Sequence, residues 1–423
     1  MRRNHGFASR MAVPALAAIL ATGVPPAAAR GPEWGEQAAK TFAAGSTEFA
    51  IDLLQRVGGK SGNVFFSPYS VSTALAMARA GAGGETARQM ETVLRLPGDP
   101  ESIRAFVPRI TSPRSLPSYR GEGRGAEEPV YALSVANAVF PQAGWAFEES
   151  FKKAVAQDYG AEFRELDYKV PESARQAINE WVEQKTQGRI QDIVPAGLPA
   201  PDTRMALANA IHFKAQWEEA FREGSTAPMP FTVKPGTAVE APTMRQTRRM
   251  RWSETDDATL LEIPYRGGDT AMIVVLPKAK DGLDAVVKAL TRERLTRAID
   301  GMTAGKVALS LPKFTFTSQT DLASVLHQMG MVDAFTASKA DFTGITKQEP
   351  LFIGAVLHKA FVAVDEKGTE AAAATVVLKR AGEAPRPDET TPFVVDHPFL
   401  FLIRHTATGA PLFVGRVDDP TAK

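Results

Sequence analysis

Between Glu48 and Val57 the apolar residues Phe49, Leu53, Leu54 and Val57 share one face of a 3.6-residue period, and Gly58-Gly59 marks the stop, so the stretch predicts a helix. A second helix is expected over Val71–Ala80, an Ala-rich segment that follows the Ser67-Pro68 break. A third is expected over 174–187, where Ile178, Trp181, Val182 and Lys185 recur at helical spacing before Gly188. Residues 131–140 read as a buried strand. Beyond residue 205 strands dominate, at 205–213, 258–265, 270–278 and 306–316. Residues 111–129 hold Pro, Gly, Ser and charge without a period and predict an exposed loop. A helix-rich half followed by strands, without regular alternation of the two, predicts an α+β fold with helices around large, mostly antiparallel sheets.

The first residues follow a different rule. Arg2, Arg3 and Arg10 precede the apolar run 11–24, and Ala27-Ala28-Ala29 offers a small-residue cleavage pattern. That run is too short to span a bilayer, so residues 1–29 are expected to be a secretory signal peptide and the protein to work outside the cytoplasm. No Pro/Gly linker splits the remainder, which predicts a single domain over 30–423.

Composition narrows the function. At 423 residues, 44% hydrophobic and 23% charged, the chain is no disordered tail. A net charge of +1 gives no global field to recruit nucleic acid or a membrane surface. With 0 Cys there is no disulfide, thiolate nucleophile or Cys-ligated metal. Arg114, Arg120 and Arg124 could form a polyanion site, but Glu122, Glu127 and Glu128 interrupt them, and solvated loop charges are the plainer reading.

Catalytic and metal motifs are missing: there is no G-x-S-x-G, H-E-x-x-H or G-x-x-x-x-G-K-[ST], and the six histidines lack metal-ligand spacing. The informative region begins at the strand-like Phe361–Val364. It passes through Gly368, Thr369, Glu370 and four alanines, turns polar with Pro385, Pro387 and Pro392, and re-enters an apolar strand at Phe393. A long loop tethered by strands at both ends is expected. If its start became a strand, Thr369, Ala371, Ala373 and Thr375 would share one face, all small enough to slide between packed strands. An inert Ala-rich helix or linker is the alternative.

Here the chain resembles the serpins, over essentially its whole length after the leader. Asp365-Glu366-Lys367-Gly368-Thr369-Glu370-Ala371-Ala372-Ala373-Ala374-Thr375 resembles the hinge of inhibitory serpins, and Phe393–Ile403 the family signature after the reactive loop. Asn63–Ser70, Ile178–Ile190, LANAIHFKAQWEEAF, Leu311–Phe314 and Pro411–Val417 match further family segments in family order. The resemblance implies the serpin fold with an exposed reactive loop at about 366–392. It also implies irreversible inhibition of a serine protease, through loop cleavage, acyl-enzyme trapping and insertion of the loop into the main sheet. By matching position, Trp217, Lys313 and Glu366 resemble the group at the top of the sheet where insertion starts. Ser67, Ser70, Asn209 and His358 resemble the polar cluster under the sheet where strands part. The plainer readings are a surface ion pair, a core Trp and ordinary buried polar groups.

Family spacing from Glu366 places the cleaved bond at Gly382–Glu383, whereas Arg380–Ala381 suits a trypsin-like pocket; Val377 and Leu378 would suit an elastase-like one. The loop is several residues longer than usual for the family, which leaves these registers open. The resemblance implies a monomer whose partner is the target protease, in a covalent complex, with no cofactor, nucleic acid or membrane after leader cleavage. The alternative from a different class is a non-inhibitory serpin acting as a binding protein or chaperone. Such proteins carry bulky, charged or proline-bearing hinges, and apart from Glu370 the run Thr369–Thr375 has none.

Overall fold

The computed structural model describes residues 32–58, 62–97, 101–120, 123–370 and 389–422. Helices α1 (Pro32–Val57), α2 (Pro68–Arg79), α3 (Gly84–Leu94) and α4 (Glu101–Thr111) follow one another, with the short strand β1 (Val64–Phe66) between the first two. The first helix starts well before Glu48 and ends where expected, the Gly58 N–H closing on the Leu54 carbonyl at 2.7 Å. Helix α2 begins at Ser67, whose hydroxyl caps the Ser70 N–H, with Pro68 in the first turn where its missing N–H costs nothing.

Next come β2 (Ser115–Arg120), β3 (Gly123–Pro129), β4 (Tyr131–Pro141), α5 (Glu149–Tyr159), β5 (Glu162–Phe163), α6 (Pro171–Lys185) and β6 (Met205–Gln216). A strand-rich stretch contains β7 (Ala227–Lys234), β8 (Thr237–Glu254), β9 (Ala258–Pro264) and β10 (Thr270–Pro277), then α7 (Leu283–Ala289) and α8 (Arg292–Asp300). It continues with β11 (Thr303–Pro312), β12 (Phe314–Asp321), α9 (Ala323–Gln328), β13 (Leu357–Asp365) and the two-residue β14 (Gly368–Thr369). Strands β15 (Thr390–Val394), β16 (Phe399–His405) and β17 (Pro411–Val417) complete the chain.

One sheet runs β1-β17-β16-β10-β9-β8-β11-β15, with β7 beside β8; the other runs β12-β13-β14-β6-β4-β5. Pairing is antiparallel apart from β11/β15 and β4/β5. Every residue of β10 and β17 is buried, as central strands require, and Phe65, Phe316, Phe401 and Phe413 stack between the two sheets. Helix α6 crosses the outer face of the second sheet, its Trp181 edge-on to Phe140 at 5.6 Å.

Two expectations are corrected. Strands β2 and β3 pair antiparallel where the composition reads as loop; backbone pairing does not require alternating apolar residues. Arg114 beside them is no free loop charge, since its Nε donates to Asp269 at 2.8 Å. The run 306–316 is two strands in different sheets. Pro312 ends β11, the Lys313 N–H turns to the Pro242 carbonyl at 2.8 Å, and β12 starts in the second sheet.

Candidate functional site

The second sheet contains a seam. Strands β6 and β13 both run antiparallel to β14 and therefore parallel to each other, yet no ladder joins them among the described residues. Only Gly368 and Thr369 lie between them, Thr369 opposite Val364 on one side and Ala215 on the other. Gly368 has φ +152°, and a Cβ there would run into the Ala215 carbonyl oxygen, so glycine is what lets the chain enter.

Thr369 is buried to 2% exposure and shares a 2.7 Å hydrogen bond with the Tyr265 hydroxyl. Tyr265 stacks on Trp217, ring centres 4.5 Å apart, and burial holds its phenol well above the usual range. Glu370 keeps one ladder bond, N–H to the Ala363 carbonyl at 3.0 Å, and then leaves the seam at φ +53°, an unfavourable conformation for a non-glycine residue. Its carboxylate is buried, in contact with the His212 Nε2 and 3.4 Å from the Arg189 Nε.

Above the seam the three residues expected there are assembled. Lys313 Nζ donates to Glu366 Oε2 at 2.7 Å, and Thr226 donates to Oε1 at 2.8 Å. The Phe221 N–H donates to the Glu366 carbonyl at 2.8 Å, while the Trp217 indole N–H donates to the Asp365 carbonyl at 2.9 Å. Burial pushes the Glu366 carboxyl up, but the hydrogen bonds from Lys313 and Thr226 outweigh it, so the group sits below its ordinary range and stays ionised. The Glu366 side chain is 9% exposed and that of Lys313 37%, so the pair is buried on the carboxylate side and open to solvent on the ammonium side.

The polar cluster lies lower, under the strands. The Ser67 N–H donates to His358 Nε2 at 3.1 Å, and the Ser67 hydroxyl donates to the Leu412 carbonyl at 2.7 Å. Burial pushes His358 down to about 4, so its ring is neutral and Nε2 is free to accept. Ser70, Asn209 and His358 line one small cavity at the seam. Asn209 donates to Asn137, while its own Oδ1 and the Ser70 hydroxyl are buried without a hydrogen-bond partner among the described residues. Beneath, a larger cavity of about 240 Å³ is walled by Met205 and Leu207 of β6 and by Leu357, with the exposed Phe352 and Leu198 at its margin.

Of the other expected site residues, Ala371, Ala372, Ala373, Ala374, Thr375, Arg380, Ala381, Gly382 and Glu383 lie outside the described residues. Tyr265, His212, Arg189, Thr226 and Phe221 were not anticipated. They reach the hinge from distant elements, and no local pattern marks them. No group of His, Asp and Glu among the described residues could hold a metal ion.

Comparison with known proteins places the chain among relatives of one architecture. The family model described as "Serpin (serine protease inhibitor)" matches residues 44–420. An uncharacterised serpin-like protein of Thermococcus kodakarensis is 39% identical over 377 residues, 88% of this chain and 84% of that one. The leukocyte elastase inhibitor of Sus scrofa is 34% identical over 391 residues, 90% of this chain and 99% of its own. Human thyroxine-binding globulin superposes with a TM-score of 0.79 at 27% identity, covering 91% of this chain and 100% of that one.

Proposed function

The chain belongs to the serpin family, and we propose that it is an irreversible, suicide-substrate inhibitor of serine proteases, acting outside the cytoplasm after residues 1–29 are removed. The observation that carries this reading is the two-residue strand β14, seated alone between β6 and β13 where those strands do not pair.

The chemistry belongs to the target. Its serine oxygen attacks the carbonyl carbon of Arg380, the bond to Ala381 breaks, and the amine leaves with a proton while an ester joins Arg380 to the protease. Gly382–Glu383 is the alternative bond. Freed at one end, the hinge continues the strand that Gly368 and Thr369 begin. Extending both registers from Thr369 brings Ala371 opposite Phe213 and Val362, and Thr375 opposite Asn209 and His358. Thr375 would then bring a hydroxyl to the unpartnered Asn209 oxygen. About 12 residues at roughly 3.3 Å each carry the attached protease some 40 Å across the sheet. The side chains following Thr369 on the inner face are Ala371, Ala373 and Thr375, which enter without displacing the rings around Tyr265.

The test is incubation with trypsin and, separately, with elastase, followed by a denaturing gel and mass spectrometry of the released peptide. A complex that survives the denaturant, with a peptide starting at Ala381, is expected with trypsin. Clean cleavage by both proteases without any complex would sink the inhibitory reading.

A further inference from the structure

The outward side of the first sheet carries charge of one sign beside the strand into which the reactive loop runs. Along β8 the outward positions are Arg245, Thr247, Arg249 and Arg251, all exposed. On β11 they lie opposite Ser310, Ala308, Lys306 and Ala304, and on β15 the first three rows end at Val394, Pro392 and Thr390. These rows hold three arginines and one lysine among small or neutral residues, and no acid. Glu262 of β9 answers one of the charges, accepting from Arg251 at 3.0 Å. Arg245 and Lys306 pair with no carboxylate among the described residues. Glu218 and Glu219 act instead on Arg248, whose buried side chain belongs to the opposite face of β8. Arg249 and Lys306 stand directly opposite each other, a like-charge pair that costs the sheet stability. The whole chain carries only +1, so the field of this face is local.

The face also lies within reach of whatever holds the loop. Nine residues lead from Ala381 to Thr390, at most about 30 Å of chain, which is about the diameter of a small domain. We infer that this face is a second docking surface for the target protease, selecting one whose own surface beside its active site is acidic. Val394, 37% exposed in the row of Arg245, adds an apolar spot that a folded protein covers and a polyanion does not. Opposite charges across such a contact raise the encounter rate and make it depend on salt. The inference rests on the loop being a protease's target, as proposed above, and not on how the encounter ends.

The test compares anionic with cationic trypsin, which cut after the same residue types. The rate followed is loss of the intact chain on a denaturing gel, whether a complex or a cleaved product forms. At low salt the anionic enzyme should be faster by about tenfold, and about 1 M salt should erase the difference. Arg245→Glu/Lys306→Glu should erase it too, and the milder Arg245→Gln/Lys306→Gln should reduce it about threefold. Arg249 is left in place because its Nη2 donates to the Ala304 carbonyl at 3.3 Å. Equal rates for the two enzymes, or an advantage that both variants retain, would overturn the docking surface. Equal rates joined to retention on heparin that the variants lose would overturn the protease as occupant in favour of a polyanion. Cleavage that discriminates between the enzymes without leaving a complex would support the surface and sink the inhibitory reading alone. A loop that neither enzyme cuts would overturn both.

Discussion

Replacing Thr369 with arginine tests the hinge at its first inserted position. In the native structure Thr369 is 2% exposed, its hydroxyl bonds Tyr265 at 2.7 Å, and the rings of Tyr265, Trp217 and Phe213 pack behind it. An arginine there must leave an unpaired charge against those rings, at a cost of about 3–5 kcal/mol, and must also forfeit a hydrogen bond of about 1 kcal/mol. In the uncleaved protein the two-residue strand can give way and keep the arginine in water, whereas insertion has to return it to the seam, so about 4 kcal/mol falls on that barrier and slows it roughly a thousandfold. Hydrolysis of the acyl-enzyme is untouched by the change, so the balance passes from trapping to turnover. Thr369→Arg should therefore be cleaved by the target as an ordinary substrate, with the moles of protein consumed per mole of protease inhibited rising from near one to above about a hundred. Thr369→Ser, which keeps the hydroxyl, should inhibit as the parent does. The measurement is residual protease activity across a titration, with a denaturing gel for the complex. Undiminished complex formation by Thr369→Arg would refute insertion through this seam.

Two other outcomes follow from the same geometry. The native His358 ring, held at about 4, binds fewer protons than the unfolded chain, whose imidazole titrates near 6.5. Its contribution is thus complete above pH 6.5 and is lost as pH falls, by about 2 kcal/mol between pH 7 and pH 5. Chemical denaturation at the two pH values should show that loss, and His358→Gln, which retains an acceptor for the Ser67 N–H, should flatten it; equal slopes would mean the imidazole titrates freely. Glu370 anchors the hinge to His212 and Arg189 just where the chain leaves the seam. Breaking charged hydrogen bonds of about 1.5–3 kcal/mol in Glu370→Ala should speed complex formation about tenfold at fixed protease concentration, and an unchanged rate would show that the anchor does not restrain insertion.

How far the sequence could be read depends on whether a feature is local. The helix stop at Gly58, the break at Ser67-Pro68 and the largely apolar run of β10 are set by neighbours along the chain, and local pattern finds them. The pairing of β2 with β3 is held by backbone bonds that composition does not display. The switch of sheets at Lys313 looks like a continuous strand because Val307, Leu309 and Phe314 are equally apolar on both sides of it. The site divides the same way. Glu366, Lys313 and Trp217 were found through a resemblance, since residues 53 apart carry no joint pattern in one chain. The contacts of Thr369 with Tyr265 and of Glu370 with His212 span 104 and 158 residues and needed the fold to be seen.

The central claim, that the cut loop completes the strand between β6 and β13, is tested most directly by melting the protein before and after cleavage in the loop. An added strand forms ladders on both sides, roughly twenty hydrogen bonds at about 1 kcal/mol each, which for a chain of this size raises the midpoint on the order of 20 °C. The account predicts that rise, together with a broader resistance to denaturant. A cleaved protein that melts where the intact one does would contradict it.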